Sequence, residues 1–293
     1  FPAPHDPGRF DFVRGATTAD ESIGWDVRAR HWLDADSPAA IADDLANGVT
    51  SLWLTDGDPD HLIAALADVD LEQVPVVVEG FRAGHRLASA LLELDRPMNP
   101  RSSLGLDPLG LVAATRRSGD IDDALDLSVE AKAAGIGAFT IDGTVYHDAG
   151  ASFAEELGAV TASGLATLRL LNESGLSSEE AARLISFRWV VTDDQFASIA
   201  KLRAARILWA RVLEVAGAGT AVGQQQHATT SIAMLTARDP WVNLIRNCVA
   251  AFAGGVGGAA AVTVEPHTLA TGDVEAFARR MARNTQLLLL QES

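Results

Sequence analysis

The sequence predicts an α/β fold, a (β/α)8 barrel entered through an irregular N-terminal arm, on three observations. Strand-like and helix-like segments alternate along the 293 residues, eight strand candidates occur, and a helix follows the last of them. Alternation of this kind calls for a parallel sheet, and eight units in about 270 residues match a closed barrel. A doubly wound open sheet is the rival, but no G-x-G-x-x-G follows the first strand.

Residues 1–22 form the arm, because Pro2, Pro4, Pro7, Gly8 and Gly15 break any regular element. The barrel domain is expected over 23–293. Residues 25–32 alternate crudely and make the first strand. A helix over 37–47 starts with Ser37 as a possible cap and Pro38 in its first turn, and Gly48 ends it. Strand 49–54, helix 58–67 and the β-branched strand 75–79 follow. Helix 84–94 leads to a short strand at 104–106. Asp120 caps a helix over 121–134, closed by Gly135. Strand 138–142, a long helix 153–172, a helix 177–184 and strand 186–191 come next. A long helix over 194–215 precedes strand 224–230. Helix 241–252, strand 260–265 and a closing helix 273–290 complete the count. The Gly254-Gly255-Val256-Gly257-Gly258 run lies between a helix and a strand, so it is a crowded turn and not a phosphate loop.

The seventh strand is odd for a barrel. Gln224, Gln225, Gln226, His227, Thr229 and Thr230 make it polar on both faces, whereas barrel interiors are normally filled with Val, Ile and Leu. Unpaired polar groups there cost about 1–3 kcal/mol each. The strand therefore predicts a partly hollow or wet interior near His227, built around water or a polar ligand.

Composition narrows the function. Lys plus Arg number 23 against 39 Asp plus Glu, a net charge of −16, which repels nucleic acid and anionic membranes. No apolar run reaches the roughly 20 residues that span a bilayer, and no secretory signal is visible, so no membrane partner and a cytoplasmic location are expected. The single Cys248 fits a reducing compartment and is expected to be a small buried residue. The histidines show no metal-ligand spacing, so no metal site is expected. His147 and Asp148 are either an acid–base pair or a solvated loop pair. Lys201, Arg203 and Arg206 either bind phosphates or form salt bridges. Asp142 and Glu265 lie at strand C-terminal ends, where barrel active sites form. They are expected as surface or inter-subunit contacts.

Five stretches carry a family resemblance. Residues 199–209 (IAKLRAARILW) resemble the "AKxRAxRxLW" helix of the methylmalonyl-CoA mutase family. Residues 236–243 (TARDPWVN) are similar to its "TxxDPxxN", and 283–292 (RNTQLLLLQE) to its "RNTQxxLxxE". Phe10 to Gly15 resembles the "FPFxRG" entry, and Asp148 to Ala151 the tail of "GYHxxEAGA". The motifs fall in order over essentially the whole chain. The resemblance implies a barrel that binds acyl-CoA, the pantetheine arm running along its axis, with adenosylcobalamin held by a separate domain through a "DxHxxG" histidine. No such motif occurs in these residues.

The departures point to one branch. The "PYPTMY" run whose tyrosine contacts substrate is replaced by Ala16-Thr17-Thr18-Ala19-Asp20, and Tyr146 is the one tyrosine of the chain. The position of the carbonyl-donating histidine holds Val145. In the "QTHCQTSGW" pattern Gln225 and His227 survive, while the second Gln and the Trp do not. The losses resemble the non-catalytic small subunit. They imply no catalytic residue here, Gln225 and His227 as vestigial substrate contacts, adenosylcobalamin bound by the partner, and a heterodimer with the large subunit. The alternative is a competent acyl-CoA mutase barrel that needs a separate cobalamin domain.

Overall fold

The computed structural model describes residues 14–15, 24–79, 85–117, 120–218, 222–272 and 274–292. The expected arm over 1–22 lies, apart from Arg14 and Gly15, outside the described residues.

Eight strands form a closed barrel in sequence order, every neighbouring pair parallel and β8 returning to β1. The chain runs β1 (Asp26–Trp32), α1 (Ser37–Ala46), β2 (Ser51–Thr55), α2 (Pro59–Leu66), β3 (Val76–Val78), α3 (His85–Glu93) and β4 (Ser103–Leu106). It continues through α4 (Pro108–Thr115), α5 (Ile121–Ala133), β5 (Gly137–Asp142), α6 (Thr144–Asp148), α7 (Phe153–Glu173), α8 (Ser178–Arg183) and β6 (Ile185–Val191). Then come α9 (Gln195–Val215), β7 (Gln225–Thr230), α10 (Val242–Val256), β8 (Ala261–Thr263) and α11 (Ala276–Gln291). The (β/α)8 expectation is met.

Local chemistry sets the boundaries. Asp58 and Asp120 accept from the backbone N–H three residues on, as side-chain caps do. Ser152 and Ser177 open α7 and α8 with reciprocal capping boxes to Glu155 and Glu180. Ser37 is a correction: it lies inside α1 behind Asp36, its hydroxyl turned to Asp34. Two short helices, α4 and α6, are additions to the expected elements. The glycine-rich run is crowded, as expected, but its first three residues continue α10 and only Gly257 and Gly258 make the turn. A Cβ on Gly255 would overlap the Trp25 ring, and Gly258 has a φ of +88°. Cys248 is half-buried, not fully buried.

The apolar core is a ring between the sheet and the helices. Leu52, Leu54, Val76, Phe187, Trp189 and Val262 point outward from their strands into it. Because side chains alternate along a strand, the opposite set points at the barrel axis, and apart from Trp53, Val77, Val190 and Ala261 most of it is polar.

Candidate functional site

The axis is filled in layers. Asp142, Arg188 and His227 stand level on β5, β6 and β7, and Arg30 stands level with Trp53 on β1 and β2. The Arg188 guanidinium donates from Nη1 to Asp142 Oδ2 at 2.5 Å and from Nε to His227 Nδ1 at 3.1 Å. A ring nitrogen that accepts carries no proton, so His227 Nε2 bears the hydrogen and donates to Thr263 Oγ1 at 2.8 Å. That hydroxyl in turn donates to the Arg28 carbonyl at 3.0 Å. Trp53 meets His227 edge-on, ring centroids 5.3 Å apart. The guanidiniums of Arg30 and Arg188 lie over the Trp53 ring at 4.2 and 3.8 Å, a cation–π arrangement.

The electrostatics follow from burial. Burial first, then the surrounding Arg28, Arg188 and Arg30 charges, hold His227 well below the usual histidine range. It is neutral with both nitrogens engaged, and so is not poised to donate to a ligand's carbonyl. Burial pulls the Arg30 guanidinium down, but Glu265 and Glu79 outweigh it and hold it above its ordinary value. Arg30 Nη1 reaches Glu265 Oε1 at 3.1 Å, and Nη2 lies 3.7 Å from Glu79 Oε2. Asp107, at the start of α4, is pushed up to about 7 by burial, although the Asp142 and Gly110 backbone N–H groups donate to it.

The filled layer divides the axis. Below it, at the N-terminal mouth, is a cavity of about 330 Å³ lined by residues including Arg28, Ser103, Thr140, Ser186, Gln225 and His227. Above it, at the C-terminal mouth, is a space of about 40 Å³ around Arg30, Trp53, Glu79, Thr229 and Glu265. The interior is partly hollow next to His227, as the polar strand predicts. The polar matter threading the barrel's middle is the chain's own side chains.

The expected site residues sort as follows. Gln225 and His227 share one face of β7 and border the lower cavity, Gln225 at its mouth and His227 at its roof. Asp142 and Glu265 are corrections: both are buried and ion-paired, to Arg188 and Arg30, because strand ends here point into a sealed axis. Lys201 is buried against Glu156 at 2.5 Å and the Val190 carbonyl, and Arg206 holds the Gly257 and Gly258 carbonyls. Neither is available to a phosphate. Arg28, Arg30, Trp53 and Arg188 were missed. For Arg28 and Arg30 the signal was present: Asp26, Arg28 and Arg30 alternate on one face of a strand that a packed barrel would fill with aliphatics. Among the described residues no group of three or more His, Cys, Asp or Glu is placed to hold a metal ion, and no helix is long and apolar enough to cross a membrane.

His147 is a correction too. Its Nε2 lies 2.7 Å from Ser231 Oγ, and burial, then the Lys201 charge, bring it down to about 4. The unfolded chain takes up this proton near the ordinary histidine value, so between about 6.5 and about 4 it binds more protons than the native state. Stability is then full above that window and lost as pH falls through it. His147→Gln should cut the loss between pH 7.5 and 5 by about 1 kcal/mol, reduced for the ring's part exposure. Urea denaturation of both proteins at the two pH values checks this; equal losses would contradict it.

The methylmalonyl-CoA mutase family model matches residues 126–293. The methylmalonyl-CoA mutase small subunit of Streptomyces virginiae is 47% identical over 307 residues, covering 98% of this chain and 49% of its own length. That of Propionibacterium freudenreichii subsp. shermanii is 39% identical over 308 residues, covering 98% of this chain and 47% of its own. The large subunit of Streptomyces virginiae is 38% identical over 160 residues, 53% of this chain and 21% of its own length. The chain spans about half the length of the small-subunit relatives it matches.

Proposed function

The chain belongs to the methylmalonyl-CoA mutase family, and on that premise we propose that it is the barrel of a non-catalytic small subunit, which supports a catalytic large subunit interconverting methylmalonyl-CoA and succinyl-CoA. The carrying observation is the closed axis. An acyl-CoA whose pantetheine arm runs along a barrel needs a continuous passage, and here Asp142, Arg188, His227 and Trp53 occupy it. The proposal draws further support from Val145, which has no donor at the place of the family's carbonyl-binding histidine.

Adenosylcobalamin, which the family resemblance implies, needs an imidazole free to reach cobalt. Among the described residues His31, His61 and His85 lie against Asp44, Asp58 and Asp123, His147 is taken by Ser231, His227 is sealed in the axis, and His267 is buried against Trp241 and Phe277. These residues do not fit the group, and we assign its binding to the large subunit. The chemistry of a shielded radical and a polarised carbonyl is assigned there too. The arm over 1–22, with Phe1, Phe10, Phe12 and Val13 among prolines, is proposed to pack on a barrel in a heterodimer. The lone Cys248 supports a reducing compartment, and the cytoplasm is the location we assign.

Co-expression of the small subunit that carries this chain with a matching large subunit tests the partnership. The two should elute together on sizing at micromolar concentration, burying well over about 1,000 Å². Separate elution, with large-subunit stability unchanged by removal of this chain, would overturn it.

A further inference from the structure

The cavity below the filled layer is built around a cation without a carboxylate of its own. Arg28 is 7% exposed and lines the cavity, and its Nε donates to Ser51 Oγ at 3.1 Å. The other two axial arginines are paired, Arg30 with Glu265 and Glu79, Arg188 with Asp142. Among the described residues no carboxylate lies within salt-bridge distance of Arg28. Asp26, two residues away on the same strand face, is held by Arg101, whose Nη1 lies 2.8 Å from both of its oxygens. Buried charges are normally paired; the Asp26 charge acts on Arg28 but is shared with Arg101, so this guanidinium's burial is only partly compensated.

We propose that the cavity at the N-terminal mouth is a binding site for a compact oxyanion, a small carboxylate or inorganic phosphate, held by the Arg28 guanidinium. A guanidinium presents its donors in a planar fork that matches such groups. The walls add hydroxyls: Thr140 Oγ1 lies 2.9 Å from Ser186 Oγ, and Ser103 Oγ 3.5 Å from Thr140 Oγ1. Arg28, Arg101 and Arg183 line the cavity with Asp26. Arg101 pairs with Asp26 and Arg183 with Glu179, which leaves the Arg28 charge to face the cavity in a protein of net charge −16. Its volume of about 330 Å³ is at the small end for ligand sites. The roof at His227, to which Arg188 donates, stops anything longer from passing up the axis. The site stands on this geometry alone and does not depend on a partner subunit, so its failure leaves the small-subunit reading untouched.

Calorimetric titration of the purified chain with sodium malonate and, separately, with sodium phosphate tests it, ionic strength being held constant with chloride. The expected result is saturable one-to-one binding of at least one of them with a Kd below about 1 mM; which one binds distinguishes a carboxylate from a phosphate site. Arg28→Gln should weaken it about tenfold or more. Should that variant fail to fold, Ser186→Leu fills the cavity from the opposite wall and should abolish binding. No saturable binding of either anion, binding retained in Arg28→Gln or in Ser186→Leu, or equal affinity for neutral pantetheine would overturn the proposal.

Discussion

Arg188→Leu should lower the folding free energy by about 3–5 kcal/mol, the range for removing one partner of a buried ion pair. Arg188 is 1% exposed, and three groups depend on it: Asp142, His227 and the Trp53 ring. Leucine would leave the Asp142 carboxylate in a dry axis with Thr144, which donates from its backbone N–H and its hydroxyl, as its near support. Asp142→Asn combined with Arg188→Leu should recover at least about 1 kcal/mol of the loss, because no uncompensated charge remains. Urea midpoints at unchanged m-value measure both. A loss under about 1 kcal/mol for the single variant would mean that water reaches Asp142 and that the axis is not sealed.

Trp53→Ala should cost about 3–5 kcal/mol as well, by a different route. Trp53 is among the largest fully buried side chains; it lines the space above and meets His227, which lines the lower cavity. Its removal opens a void beside His227 and leaves the Arg30 and Arg188 guanidiniums without the ring they lie over. The void would join the two spaces. Trp53→Phe keeps a ring there and should recover more than half of the loss in a denaturation series. Equal destabilisation by Phe and Ala would show that the ring's face plays no part.

The barrel was legible because its signals are local. Alternating segments, Asp58, Asp120 and Ser177 as helix starts, and the glycines after helices all report on their own neighbourhood. The polar interior was legible from β7 alone, since Gln225, His227 and Thr229 cannot be turned away from the axis without turning Gln226 and Thr230 into it. What fills the axis was not legible. Arg188 lies within SFRWVV and Trp53 within SLWLT, each an ordinary strand with one odd residue. Their meeting with Asp142 and His227 depends on register across four strands, which no local pattern carries. For the same reason Asp142 and Glu265 looked like exposed strand ends. The short helices α4 and α6 span too few turns to show periodicity, and Asp107-Pro108 reads equally well as a turn.

On the proposed function, this barrel supports turnover without taking part in it. The direct measurement is the kcat of the reconstituted complex in which the small subunit carries Asp142→Asn with Arg188→Leu, assembly being verified by sizing. Turnover per large subunit is expected within about twofold of the unaltered complex. A fall of about a hundredfold or more in the intact complex, the scale on which a positioned acid–base group acts, would contradict it and place chemistry inside this barrel.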